Sequence, residues 1–200
     1  MTDTDVPTGN TYDKYGTTNP IERKMMEGFF AALDRFVDGL APTRILEVGV
    51  GEGIVSERLA TRFPDAKIVG LDLPDPELAA EWTAQDLMCM FADVVALPAP
   101  DDAFDLVVAI EVFEHFDDPP AALRELARVC TSDLLASVPF EPIWRIGNMA
   151  RGRYLRDLGN TPGHINHWGR RGFTKFVDGE FEVQGVASPL PWTMVHARVR

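Results

Sequence analysis

Two short stretches of this 200-residue chain gather side chains able to move protons or hold a metal ion. "EVFEH" carries Glu111, Glu114 and His115, and "TPGHINHW", far downstream, carries His164 and His167. Carboxylates and imidazoles are the usual general acids and bases near neutral pH. A mixed oxygen and nitrogen set can also bind a divalent ion such as Mg. A third stretch, "ILEVGVGEG" over Ile45 to Gly53, is built to bind rather than to react. Gly49 makes a tight turn, and Gly51 and Gly53 let a ligand approach the backbone. Asp72 follows Gly53 by 19 residues, where a carboxylate can accept from both ribose hydroxyls.

These residues need a scaffold, and the apolar rhythm supplies one. Asn19 can cap a helix with Pro20 at its first position, and apolar residues follow at helical spacing through Met25, Phe29, Ala32, Leu33 and Phe36. "RILEVG", "KIVGLD", "LMCMFAD", "FDLVVAI" and "DLLASVP" read as strands, and "GIVSERLATRF", "PELAAEWTA" and "PPAALRELARVC" as helices between them. Nearly continuous apolar strands alternating with helices predict an α/β, doubly wound, mostly parallel sheet covered on both faces. The rhythm breaks after Pro139. Residues 140–168 are expected to form a lid or substrate insertion before a helix starting near Arg170. "FEVQGVAS" and "WTMVHARVR" supply two last strands, the second antiparallel because the short "SPLP" turn cannot carry a crossover. The expected organisation is a flexible tail over 1–18 and one domain over 19–200. Catalytic groups belong at the carboxyl ends of the fourth and fifth strands, where such sheets bind ligands.

The glycine spacing separates two cofactor classes. A nicotinamide site needs its third glycine at position 54, where this chain has Ile54. Glu47, two residues before the first glycine, suits a ligand carrying an ammonium and a sulfonium better than a pyrophosphate. "LEVGVGEG" resembles the first motif of class I S-adenosylmethionine-dependent methyltransferases. "VGLDL" is similar to the second motif, which implies Asp72 as ribose ligand with Leu73 beside it. "FADVVALP" looks like the segment whose acid, here Asp93, meets the adenine amino group while Val94 flanks the ring. "FDLVVAIEVFEHFDDPPAALRELARV" looks like the fourth strand and its helix, with Ile110 near the methionine end. The resemblance is close over Arg44 to about Pro139. It implies a Rossmann-like sheet of order 3-2-1-4-5-7-6 with the last strand antiparallel. It also implies S-adenosylmethionine bound by Glu47, Gly49, Gly51, Gly53, Asp72, Leu73, Asp93, Val94 and Ile110, S-adenosylhomocysteine as product, and O-methylation of a small molecule.

"AIEVFEH" followed by "HINHW" resembles two branches of that family. One is the ubiquinone-biosynthesis O-methyltransferases, whose insertion after the fifth strand is of similar length and meets membrane. The other is the small-RNA 2′-O-methyltransferases, which hold a metal with two glutamates and two histidines. By that resemblance Glu111, Glu114, His115 and His164 would be metal ligands, with His167 the rival of His164. Without metal, His115, His164 or His167 would act in the acceptor pocket, or the same residues would only support the chain; these alternatives stay open. Within the insertion, Trp144, Met149, Tyr154 and Leu155 could cover an apolar or lipid-like acceptor, with arginines gripping a phosphate or carboxylate. The segment could instead lie on an anionic membrane surface or pack on its own domain. The resemblance also suggests that Tyr12 and Tyr15 close over the cofactor.

Charge narrows the partners. The net charge of −12 opposes binding to DNA, and disfavours RNA, because both depend on neutralising phosphates. Residues 144–175 alone hold seven Arg and Lys against Asp157. The basic charge is therefore concentrated in the insertion and the helix after it. Cys89 and Cys130 lack metal or disulfide spacing and read as buried thiols. The polar, acidic start lacks a signal peptide's basic and apolar regions, which predicts a cytoplasmic protein. A domain that only binds the cofactor remains the non-enzymatic alternative.

Overall fold

The computed structural model describes residues 18–200, so Tyr12, Tyr15 and nearly all of the expected tail lie outside the described residues. The chain runs α1 (Pro20–Val37), β1 (Arg44–Val48), α2 (Ile54–Arg62), β2 (Lys67–Asp72), α3 (Pro76–Gln85), β3 (Cys89–Phe91) and β4 (Phe104–Ile110). It continues through a 3-10 turn (Phe113–His115), α4 (Pro119–Val129), β5 (Cys130–Pro139), α5 (Ile143–Ala150), a second 3-10 turn (Leu155–Asp157), α6 (Arg170–Val177), β6 (Phe181–Ala187) and β7 (Trp192–Val199). The sheet order is 3-2-1-4-5-7-6. β1 to β5 pair in parallel, and β7 runs antiparallel to both β5 and β6.

Local chemistry sets the helix starts. Asn19 accepts from the Ile21 N–H, Asp75 from Glu77 and Asp118 from Ala121, each cap followed directly by proline. These caps answer N–H groups that a helix leaves unpaired at its start. The strands then feed two cores by their period of two. Ile45, Leu106 and Val108 face α1 and α2, where Phe29, Leu33 and Leu59 meet them. Leu46, Val107 and Ala109 face the opposite side, against Leu123, Leu126, Phe173 and Val177 of α4 and α6. Cys130 is buried as expected, whereas Cys89 is only half-buried because β3 is an edge strand. Among the described residues no helix is long and apolar enough to cross a membrane.

The expected insertion is an element in its own right. α5 leaves β5 after a short link, and residues 158–164 fold back beneath it. Asn148, buried on α5, donates to the Gly159 carbonyl and Thr161 Oγ1, and Trp144 Nε1 donates to the same hydroxyl at 2.9 Å. The outward face of α5 is apolar and exposed at Ile143, Ile146 and Met149.

Candidate active site

The carboxyl ends of β1, β2 and β4, roofed by α5, enclose a cavity of about 490 Å³. That size falls within the usual range for small-ligand pockets. Its floor is the glycine turn. The Gly49 and Val50 N–H groups both donate to the Leu71 carbonyl, which pins the turn to β2. Gly49 and Gly53 have positive φ, and a Cβ there would stand 2.0 Å from Val112 Cγ1 and 2.2 Å from Leu87 Cδ1. Gly51, also at positive φ, would meet nothing within 4 Å. Packing thus demands the outer two glycines, while the middle one faces open space. Helix α3 braces the turn from outside: Trp82 Nε1 donates to the Gly51 carbonyl at 2.7 Å and Gln85 to that of Glu52.

Two carboxyls flank this turn. Glu47 is buried at the end of β1 and accepts from Ser56 Oγ on α2. Burial pushes its pKa up to about 8; the Ser56 hydroxyl opposes the rise and the charge of Asp72 adds to it. Asp72 accepts from the Gly51 and Leu73 N–H groups, both at 2.8 Å. Its pKa is also raised, burial outweighing those two bonds. Leu73, Asp93, Val94 and Ile110 line the same cavity, so every residue expected at the cofactor reaches its wall except Gly53, which supports the turn.

At the other end stand the histidines. The two chemical stretches are zipped together by backbone. The Ile165 and Asn166 N–H groups both donate to the Glu114 carbonyl, and Asn166 Nδ2 donates to the carbonyls of Phe113 and Phe116. His115 Nδ1 lies 2.9 Å from the Gly163 carbonyl. A carbonyl only accepts, so Nδ1 carries the hydrogen and the lone pair of neutral His115 is on Nε2. His164 is buried, its ring centroid 4.9 Å from that of His115 and stacked at 6.1 Å on Trp144. Glu114, His115 and His164 each bring one ligand atom within 4.8 Å of the others.

Two expectations are corrected. Glu111 does not join that cluster. It stands at φ 58, and its carboxylate accepts from Trp192 Nε1 at 2.6 Å and Ser137 Oγ at 3.1 Å. His167 is exposed, outside the cavity wall, with Nε2 2.8 Å from Asn160 Oδ1. Within the insertion Trp144 and Tyr154 line the cavity, whereas Met149 and Leu155 face outward. Arg170 and Arg171 open α6 and take no part in the site.

Residues 46–133 match the methyltransferase domain family. Over that span the chain is similar to the class I methyltransferases. Among its relatives, the Thermus thermophilus demethylmenaquinone methyltransferase is 42% identical over 94 residues, 44% of this chain and 43% of that protein. The malonyl-[acyl-carrier protein] O-methyltransferase of Geobacter sulfurreducens is 32% identical over 126 residues, 61% of this chain and 45% of its own length. The chain therefore spans less than half the length of either curated relative. The solved magnesium protoporphyrin IX methyltransferase of Synechocystis, with bound S-adenosylhomocysteine, superposes with a TM-score of 0.66 at 18% identity, over 92% of this chain and 90% of that one. At that identity the likeness concerns the fold.

Sequence reasoning did not single out several wall residues of this cavity. Glu22, Asn148, Arg151 and Trp192 all line the cavity. Glu22 did leave a signal: it shares a helical stripe with Met26, Phe29 and Leu33, where a carboxylate has no reason to sit unless something polar faces it. Asn148 and Trp192 left none, because their role depends on segments distant in the chain.

Proposed function

We propose that the domain transfers the methyl group of S-adenosylmethionine to an oxygen of a small-molecule acceptor. The cavity supports this reading because it joins the glycine turn with its two carboxyls to a histidine of defined tautomer. Glu47, Asp72, Asp93 and the open face of Gly51 would hold the cofactor. The acceptor would sit under Trp144, near His115 and His164. His115 Nε2 would take the hydroxyl proton as the oxygen attacks the methyl carbon. The carbon–sulfur bond breaks with its electron pair going to sulfur, which leaves S-adenosylhomocysteine and the methylated oxygen. The sulfonium is already an activated leaving group, so alignment and proton removal are the protein's main contributions. The outward apolar face of α5 supports, within the same proposal, contact with a lipid surface that could deliver a lipid-like acceptor.

The spacing of Glu114, His115 and His164 favours one second reading. These three donors fit a divalent ion, with His115 presenting Nε2 while its other nitrogen is oriented by a carbonyl. A bound ion would lower the pKa of a ligated hydroxyl. Calorimetry with S-adenosylhomocysteine tests the first reading, and absence of binding at millimolar ligand would sink it. A cofactor-binding domain without turnover on any acceptor would point to the non-catalytic alternative. Titration of Mg or Zn, followed by melting temperature in wild type and His164→Ala, tests the second. A metal-induced rise lost in the variant supports it, and no rise in either protein removes it.

A further inference from the structure

The charges of the cavity are sorted by position. Apart from the two histidines, its described charged wall residues are carboxylates, except for Arg151 and Arg153, and both arginines come from the insertion. Carboxylates suit the ammonium and sulfonium of the cofactor, whereas a guanidinium suits a carboxylate. Arg151 is held in advance. Its Nε donates to the Gly147 carbonyl at 3.1 Å and its Nη2 to Asn148 Oδ1 at 2.9 Å. Its Nη1 reaches Glu22 Oε1 at 3.3 Å. That last contact is longer than the 2.7–2.9 Å of a well-formed charge-assisted bond and involves one oxygen rather than two. Glu22 lies on α1, buried, 129 positions away in the chain.

We propose that Arg151 anchors a carboxylate of the acceptor, and that Glu22 occupies that carboxylate's place while the pocket is empty. This rests on the proposed methyl transfer, since it names the acceptor class for the same cavity. A guanidinium fixed by its own helix needs little reorganisation to bind a second anion, and the Glu22 contact shows that a carboxylate fits there. The loose contact with Glu22 makes the exchange feasible. The acceptor then spans the roof: its acidic end on Arg151, its apolar body under Trp144, its hydroxyl toward His115.

The test uses protein loaded with S-adenosylhomocysteine and two probe pairs, benzoate against benzamide and 3-phenylpropionate against its amide. Calorimetry should show at least one carboxylate binding about tenfold more tightly than its neutral twin. Glu22→Gln removes the competing anion and should tighten the carboxylate several-fold while leaving the amide unchanged. Arg151→Gln should reduce the carboxylate to the amide's level, and Arg151→Lys, which keeps charge but loses the fork, should fall between. Equal binding of both twins, or discrimination that survives Arg151→Gln, overturns the proposal. So does failure of Glu22→Gln protein to bind either carboxylate at about 10 mM. A drop of tenfold or more in S-adenosylhomocysteine affinity in Arg151→Gln also overturns it, because Arg151 would then serve the cofactor's own carboxylate. If wild type does not bind S-adenosylhomocysteine at all, the methyl-transfer reading fails instead.

Discussion

Glu47 sets a pH signature for the proposed cofactor site. Its folded pKa, about 8, lies above the ordinary 4.5. The folded protein therefore keeps a proton that the unfolded chain releases, and the contribution of Glu47 to stability falls as pH rises from about 4.5 to about 8. A ligand ammonium placed beside it favours the ionised form. S-adenosylhomocysteine affinity should thus rise up to about pH 8, with proton release at pH 7 measured by calorimetry in buffers of different ionisation enthalpy. Glu47→Gln should abolish that release; release persisting in the variant would refute the assignment. The glycines make a second, contrasting prediction. Gly49→Ala strains a positive φ and drives a Cβ against Val112, so it should cost about 2–4 kcal/mol of stability by denaturant titration. Gly51→Ala meets only open space, so it should cost about 1 kcal/mol while weakening cofactor binding more than tenfold.

The segment over Thr161 to Trp168 works as a tether. Asn166 ties it to the turn after β4 through the Phe113 and Phe116 carbonyls, and backbone bonds to Glu114 complete the seam. Asn166→Ala removes two bonds inside the protein and leaves two carbonyls short of a donor, a loss of about 1–3 kcal/mol. The expected outcome is a reduced kcat with S-adenosylhomocysteine affinity unchanged within about twofold, since the glycine turn lies elsewhere. Equal losses in both would mean that the seam supports the whole rim. Asn148 plays the corresponding part for the roof. Hydrogen exchange in Asn148→Ala should quicken over 155–164 and leave β1 and β4 protected.

Across the whole molecule, the sheet is a platform clamped between two cores. Phe113, Phe173, Phe176 and Trp168 form an aromatic cluster of edge-to-face, tilted and stacked pairs under the β4 rim, and Phe173 and Phe113 are fully buried. Phe173→Ala should cost about 3–5 kcal/mol in chemical denaturation. The turn bearing Glu114 and His115 is the part of the site most directly exposed to that loss. Much of this architecture was legible in the chain. Alternating apolar strands and capped helices are local patterns, and they led to the seven strands and the antiparallel β7, while the motif resemblance led to the run from Glu47 to Ile110 that lines the cavity. The family resemblance linked His164 to His115, but it also drew in Glu111 and His167. Only the tertiary structure separated them, because a side chain's direction depends on what its neighbours offer. Trp192 and Ser137 claim the carboxylate of Glu111, and Asn160 turns His167 outward. The meeting of Glu22 with Arg151 was likewise beyond local pattern, since no periodicity spans the chain between α1 and the roof. The elements follow from short-range propensity and apolar periodicity, and the glycine motif from its local spacing and resemblance; which carboxylates and imidazoles share the cavity follows from long-range contacts that exist only once the sheet has closed.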